Sequence, residues 1–139
     1  MARVLPPDLE LFLTGYLRDR AAERGAVVRV GNKEPSDLTT DSPDQIVVRD
    51  DSGARESAVS FDRSVGVSVL AGTRAYDLPA NMLARETVAD LTDDAILTWP
   101  GSPVAAIRWD GCNGPYAVPE AADKARRYMT VQYAVLGAW

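Results

Sequence analysis

Histidine is absent from all 139 residues. That removes the commonest general base, the Ser-His and Cys-His nucleophile pairs, and most metal sites. Cysteine is nearly absent too. Cys112 stands alone, which excludes an internal disulfide and a structural zinc site and favours a small, partly buried hydrophobe. The phosphate-cradling patterns G-x-x-x-x-G-K-[ST] and G-x-G-x-x-G do not occur. Gly31 and Lys33 lie close together, but Pro35 follows in a loop where a phosphate site needs a helix start. No apolar run approaches the roughly eighteen residues of a membrane span. The opening Met1-Ala-Arg-Val-Leu-Pro-Pro-Asp8 is broken by two prolines and an aspartate before a secretory pattern can form. A soluble protein inside the cell is the expectation. Lysine is scarce: Lys33 and Lys124 stand against thirteen arginines. That bias, with abundant Ala, Val, Gly and Asp, reflects a GC-rich genome rather than a function.

What remains describes a folded domain. Hydrophobic residues make up 46% of the chain, enough for one core and one domain over 1–139. There are 20 acidic and 15 basic residues, a net charge of −5. A protein that grips nucleic acid must neutralise phosphates and is expected to be basic. The adjacent pairs Asp50-Asp51 and Asp93-Asp94 could be offered as acid/base or Mg²⁺ carboxylates, but both lie at turn signals. Trp99, Trp109 and Tyr116 could stack on bases, but their scattered spacing and the acidic balance point to core or interface packing. No enzyme, cofactor or metal is therefore expected.

Periodicity places the elements. Leu9, Phe12, Leu13, Tyr16 and Leu17 recur at helical spacing behind Pro6-Pro7-Asp8, with Arg18, Arg20 and Arg24 towards the far end and Gly25 placed to stop the helix. Strands are expected at Ala26–Val30 and Gln45–Arg49, followed by the turn Asp50-Asp51-Ser52-Gly53, and weakly at Ala58–Phe61. Val65, Val67 and Val69 alternate with Gly66, Ser68 and Leu70 in a clearer strand, Ser64–Ala71. A second helix runs from an Asp77 cap to Leu91, with Ala80, Leu83, Ala84 and Val88 on its inner face. Val104–Asp110 alternates, with Ala105, Ile107 and Trp109 on one side. Cys112-Asn-Gly-Pro-Tyr116 reads as a turn, and Arg126–Leu136 as a last strand. The order α-β-β-β-α-β-β predicts an α+β fold: a mainly antiparallel mixed sheet of four to five strands, with two helices packed on one face.

One segment does not fit a compact plan. Asn32–Asp44 is a long polar connection carrying Pro35 and Pro43, whereas connections in small domains usually run about 2–6 residues. Too polar to join the core and barred by its prolines from a central strand, it is expected either to project as an arm towards another chain or to be a disordered surface insertion.

The whole succession, from "PDLELFLTGYLRDRA" through "AVVRVGNKEP", "DQIVVRDDSG" and "RSVGVSVLAGT" to "GPYAVPEAADKARRYMTVQYAVLGAW", resembles the tail terminator (tail completion) proteins of long-tailed bacteriophages, especially those infecting GC-rich actinobacteria. The resemblance covers nearly the full chain as a pattern of elements and composition; no single motif carries it. It implies a small non-enzymatic subunit that closes into a ring, usually a hexamer, at the head-proximal end of the tail, assembled in the host cytoplasm. The ring would stop growth of the tube built from the major tail protein and present the surface that joins the head–tail connector or stopper. DNA would pass through its lumen without specific binding, and no membrane is involved. Interface residues are then expected among Asn32, Lys33, Glu34, Pro35, Ser36 and Asp37 of the arm, Gln45 and Arg49 of the following strand, and the aromatics Trp109, Tyr116 and Trp139. Another neck protein, such as a stopper or adaptor, and a small ligand-binding or regulatory α+β domain are the alternatives.

Overall fold

The computed structural model describes residues 3–138; Trp139 lies outside them. Helix α1 spans Leu9–Glu23. The Asp8 carboxylate accepts from the Leu11 N–H at 3.1 Å, satisfying one of the orphan donors of the first turn. At the other end Gly25 takes a positive φ of 69°. Its N–H reaches the Ala22 carbonyl, and the Ala26 N–H reaches the Ala21 carbonyl, both at 3.0 Å. This paired closure needs a left-handed residue, which glycine supplies without strain. Leu9, Leu13, Tyr16 and Leu17 are buried, as the stripe predicts.

The sheet is built on its longest pair. β3 (Ser60–Ala71) and β6 (Ala125–Leu136) run antiparallel in unbroken register from Ser60↔Leu136 to Ala71↔Ala125. Their odd-numbered positions face one side, and of these Val65, Val67, Val69, Met129, Val131, Tyr133 and Val135 are fully buried. Helix α1 and helix α2 (Leu78–Leu91) join these residues in one core on that side. β2 (Gln45–Asp50) adds Ile46 and Val48. The mainly antiparallel sheet with both long helices on one face matches the expectation. There are, however, six strands and a short third helix, α3 (Ala95–Thr98), so the order is α-β-β-β-α-α-β-β-β.

The expected strand Val104–Asp110 stops early. β4 covers only Val104–Ile107, because Trp109–Gly111 winds into a 3₁₀ turn. Val104, not Ala105, points into the core. The expected turn at Cys112–Tyr116 is instead strand β5, Asn113–Val118. β4 pairs with the C-terminal half of β6 and β5 with its N-terminal half. The two therefore form one interrupted edge along the same side of β6.

At the opposite edge the first strand is shorter than expected. β1 is Arg29–Gly31 and runs parallel to β2, with Arg29↔Gln45 and Gly31↔Val47 in register. This explains the length of Asn32–Asp44. An antiparallel pair can be joined by two residues, whereas a parallel pair needs a crossover of about a dozen or more. β2 is consequently an interior strand between β1 and β3 rather than an edge.

Two buried tyrosines finish the core. The last carbonyls of a helix have no partner within it. In α2 the Asp90 carbonyl accepts from the Tyr16 hydroxyl at 2.5 Å, and the Leu91 carbonyl accepts from the Tyr133 hydroxyl at 2.7 Å. Burial, which disfavours the phenolate, pushes the Tyr16 hydroxyl up to about 12 and raises that of Tyr133 as well. Beside them Arg20 of α1 and Arg24 at its C-cap bind the Asp90 carboxylate, at 3.4 and 2.8 Å, and Arg20 also holds Asp93 at 2.9 Å.

Candidate protein interface

Of the expected interface residues, Trp109 and Tyr116 lie on one flank of the sheet, whereas those of the crossover lie over its helix-free face. On the β4–β5 flank, Trp109 is 62% and Tyr116 48% exposed. The 3₁₀ turn carries Trp109 outward and packs tightly against β6. A Cβ on Gly111 would lie 1.7 Å from the Gln132 Oε1, so only glycine lets the chain pass this close to β6. Gln132 is itself fixed, donating to both oxygens of the Asp62 carboxylate at 2.8 Å. Arg108, just before the turn, binds the Glu56 carboxylate through two contacts of 2.7 Å. Tyr116 meets Tyr128 edge-on, with ring centroids 5.9 Å apart. Pro115 removes a backbone donor from this edge.

The β1 flank is polar and closed differently. Arg29 N–H bonds inward to the Asp44 carbonyl at 2.9 Å, so in a parallel ladder the backbone groups of Val30 point outward. The outward carbonyl is occupied: the Arg18 guanidinium donates to it at 2.7 Å. Arg18 had no role in the sequence beyond the charge at the end of its helix. Val27, beside this edge, is 90% exposed.

The crossover does not stand clear of the body as expected for an arm. It lies over the face that lacks helices and is fastened at both halves. Asn32 donates to Glu10 Oε1 at 3.0 Å, while Glu10 Oε2 accepts from the Asp50 N–H at 2.8 Å. Those two bonds, the Asp50 N–H first and the Asn32 amide next, hold the Glu10 carboxyl below its ordinary value. Glu34 pairs with Arg126, which also donates to Glu120 at 2.7 Å. The buried Lys124 ammonium donates to the Ser42 carbonyl at 2.6 Å. Lys33, Ser36 and Asp37 are exposed, Pro35 is half-buried, and among the described residues the Lys33, Ser36 and Asp37 side chains make no hydrogen bond.

Two expected residues sit elsewhere. Gln45 is 7% exposed and cannot meet a partner; it stands with Val47 and Leu70 on the helix-free face. Arg49 is exposed but engaged, donating to Asp51 Oδ1 at 2.6 Å and to the Tyr128 hydroxyl at 3.2 Å. It reaches Tyr128 from two strands away because β3 presents Gly66 between them, where a Cβ would lie 2.2 Å from that hydroxyl. Trp139 falls outside the described residues.

The aspartate pairs take structural roles. Asp50 accepts from the Ser52 N–H at 2.7 Å, and Asp93 from the Ala95 N–H at 2.9 Å. The Cys112 thiol is half-buried and donates to the Arg108 carbonyl at 3.4 Å. Among the described residues no group of three or more His, Cys, Asp or Glu is placed to hold a metal ion, and no helix is long and apolar enough to cross a membrane.

One concavity was not anticipated. An open cleft of about 670 Å³ lies at the end of the sheet where the Leu5 and Ala138 backbones pair. Its walls are apolar, with Leu5, Leu11, Phe12, Pro103 and Leu136 among them. Among the described residues Asp8 is the one ionisable group lining it, and its carboxylate already caps α1. No protein-family model matches the chain, and no curated protein is significantly similar to it.

Proposed function

We propose that this chain is a non-enzymatic structural subunit of a phage-type tail: a terminator that closes into a ring, a hexamer by the resemblance, on the last layer of the tail tube. Besides copies of itself, its partners are the major tail protein below and a head–tail connector or stopper above, and its place is the head-proximal end of the tail.

The observation that carries the reading is the inequality of the two sheet flanks. One presents Trp109 and Tyr116 on an interrupted edge; the other presents Val27 and an edge whose outward Val30 carbonyl is taken by Arg18, while the exposed Lys33, Ser36 and Asp37 lie apart, on the crossover over the helix-free face. A closed ring requires one surface to meet a different surface on the next copy, and exposed aromatics supply interface energy at small cost in ordering. Net acidity suits a lumen that DNA must cross without sticking. Electron microscopy of tails or virions tests the assignment. A ring of this chain at the head-proximal end of the tube is the expected result, and any other location rejects it. Replacing Lys33, Ser36 and Asp37 together is expected to leave folding intact and yield tails of uncontrolled length or tails that fail to join heads.

The apolar cleft favours a second reading, a small binding domain. Its volume falls within the range of about 300–1,000 Å³ of ligand pockets. Among the described residues its lining lacks the set of convergent polar groups that orients a ligand there. Size measurement on the purified chain together with tube protein separates the readings: a binding domain stays monomeric or dimeric in the mixture.

A further inference from the structure

We infer that Asn113 is a site of spontaneous covalent modification, converting through a cyclic imide to aspartate and isoaspartate. The chain contains Asn32, Asn81 and Asn113, and only Asn113 is followed by glycine. The reaction is intramolecular. The Gly114 backbone nitrogen, after losing its proton, attacks the Asn113 Cγ. A new C–N bond closes a five-membered imide while the side-chain Cγ–Nδ2 bond breaks and ammonia leaves. Water then opens the ring at either carbonyl, giving aspartate or, when the chain is rerouted through the side chain, isoaspartate. Nothing is oxidised or reduced, and water is the sole co-reactant.

The surroundings favour this position over the other two. Asn113 and Gly114 are both exposed, on the outermost strand of the sheet. Asn113 pairs with Thr130, but the ladder then loses register until Tyr116↔Tyr128, so the attacking nitrogen lies inside the irregular stretch. Gly114 sits at φ 90°, with no side chain to screen its nitrogen. Asn32, by contrast, has its amide bound to Glu10 and is followed by Lys33. Asn81 is held within α2, its N–H on the Asp77 carbonyl at 3.0 Å, and is followed by Met82. The product places a new carboxylate in the chain segment between Trp109 and Tyr116, and the isoaspartate form adds a methylene to the backbone of a strand paired with β6. The inference does not depend on the ring reading.

The test is peptide mapping of the intact native chain, incubated at mildly alkaline pH and physiological temperature, following the mass gain that marks replacement of an amide NH₂ by OH. Conversion at Asn113 several-fold faster than at Asn32 or Asn81, accelerating with pH and accompanied by isoaspartate, is the expected result. Asn113→Gln should abolish the fast phase, because the longer side chain cannot close the five-membered ring. Equal rates at the three asparagines, or a native Asn113 that stays intact while the same residue converts in denatured chain, would overturn the inference.

Discussion

The two faces of the central sheet are held by different physics. The odd-numbered face carries Val65, Val67, Val69, Met129 and Val131 beneath two helices, and its stability comes from excluding water. The helix-free face carries Ser64, Ser68, Thr130 and Gln132 in the centre and buries Gln45, Val47 and Leu70 at one end, where the crossover passes without a helix of its own. That cover is fixed by polar fasteners, Lys124 to Ser42 and Arg126 to Glu34. The first face is expected to fail all at once and the second piece by piece. A backbone can thus be pinned over a sheet without a second core, and the parts most open to partners need not share the stability of the rest.

Mutation can break this contrast. Leu13→Ala, which opens a cavity in the helix-covered core, is expected to cost about 2–5 kcal/mol, read as a large drop in thermal midpoint. Tyr133→Phe keeps the ring but orphans the Leu91 carbonyl in a buried setting, for about 1–3 kcal/mol; if its cost matched that of a surface substitution, the tyrosine cap would have no energetic meaning. On the other face, Glu34→Ala removes the exposed end of the fastener and leaves Arg126 paired with Glu120. It is expected to cost no more than about 1 kcal/mol globally, while hydrogen exchange speeds up across 32–44 and stays unchanged in β3 and β6. Equal acceleration everywhere would erase the distinction between the faces.

Acid sharpens the same contrast. The folded Glu10 carboxyl lies below its ordinary value, held there by the Asp50 N–H and the Asn32 amide. Its contribution is therefore complete above the ordinary glutamate range and disappears as pH falls through the lowered folded value. Glu10→Gln should flatten that part of the stability–pH curve. A curve with the same acid limb as the parent would show that Glu10 does not fasten α1 to the start of the crossover.

The elements with strong periodicity were legible in the sequence. The stripe of α1 and the alternation of β3 and β6 each repeat over several turns or residues, so burial and pattern agree. β1 was legible as a strand but not as a parallel one, because alternation does not encode direction and three residues leave little pattern. β5 was hidden by Asn113-Gly114-Pro115, residues that signal a turn but here follow an edge. Gln45 looked available because its burial depends on a crossover whose path only the fold reveals. The tyrosine caps of α2 join residues 74 and 42 positions apart, and no local signal could have marked them. For the candidate interface, the aromatics of the β4–β5 flank were readable as unusual residues, whereas Arg18 at the opposite flank was not.

Arg18 sets how this molecule can crowd. A bare strand edge invites unlimited growth, each copy offering the next the same row of hydrogen-bonding groups. By occupying the outward Val30 carbonyl, the Arg18 side chain makes the β1 edge a poor template for another strand, while Pro115 and the 3₁₀ turn interrupt the far edge. Copies that meet flank to flank must then recognise each other by the shapes and charges of side chains. Contacts of that kind fix an angle between neighbours, and an angle is what separates a structure that closes on itself from a fibre without an end.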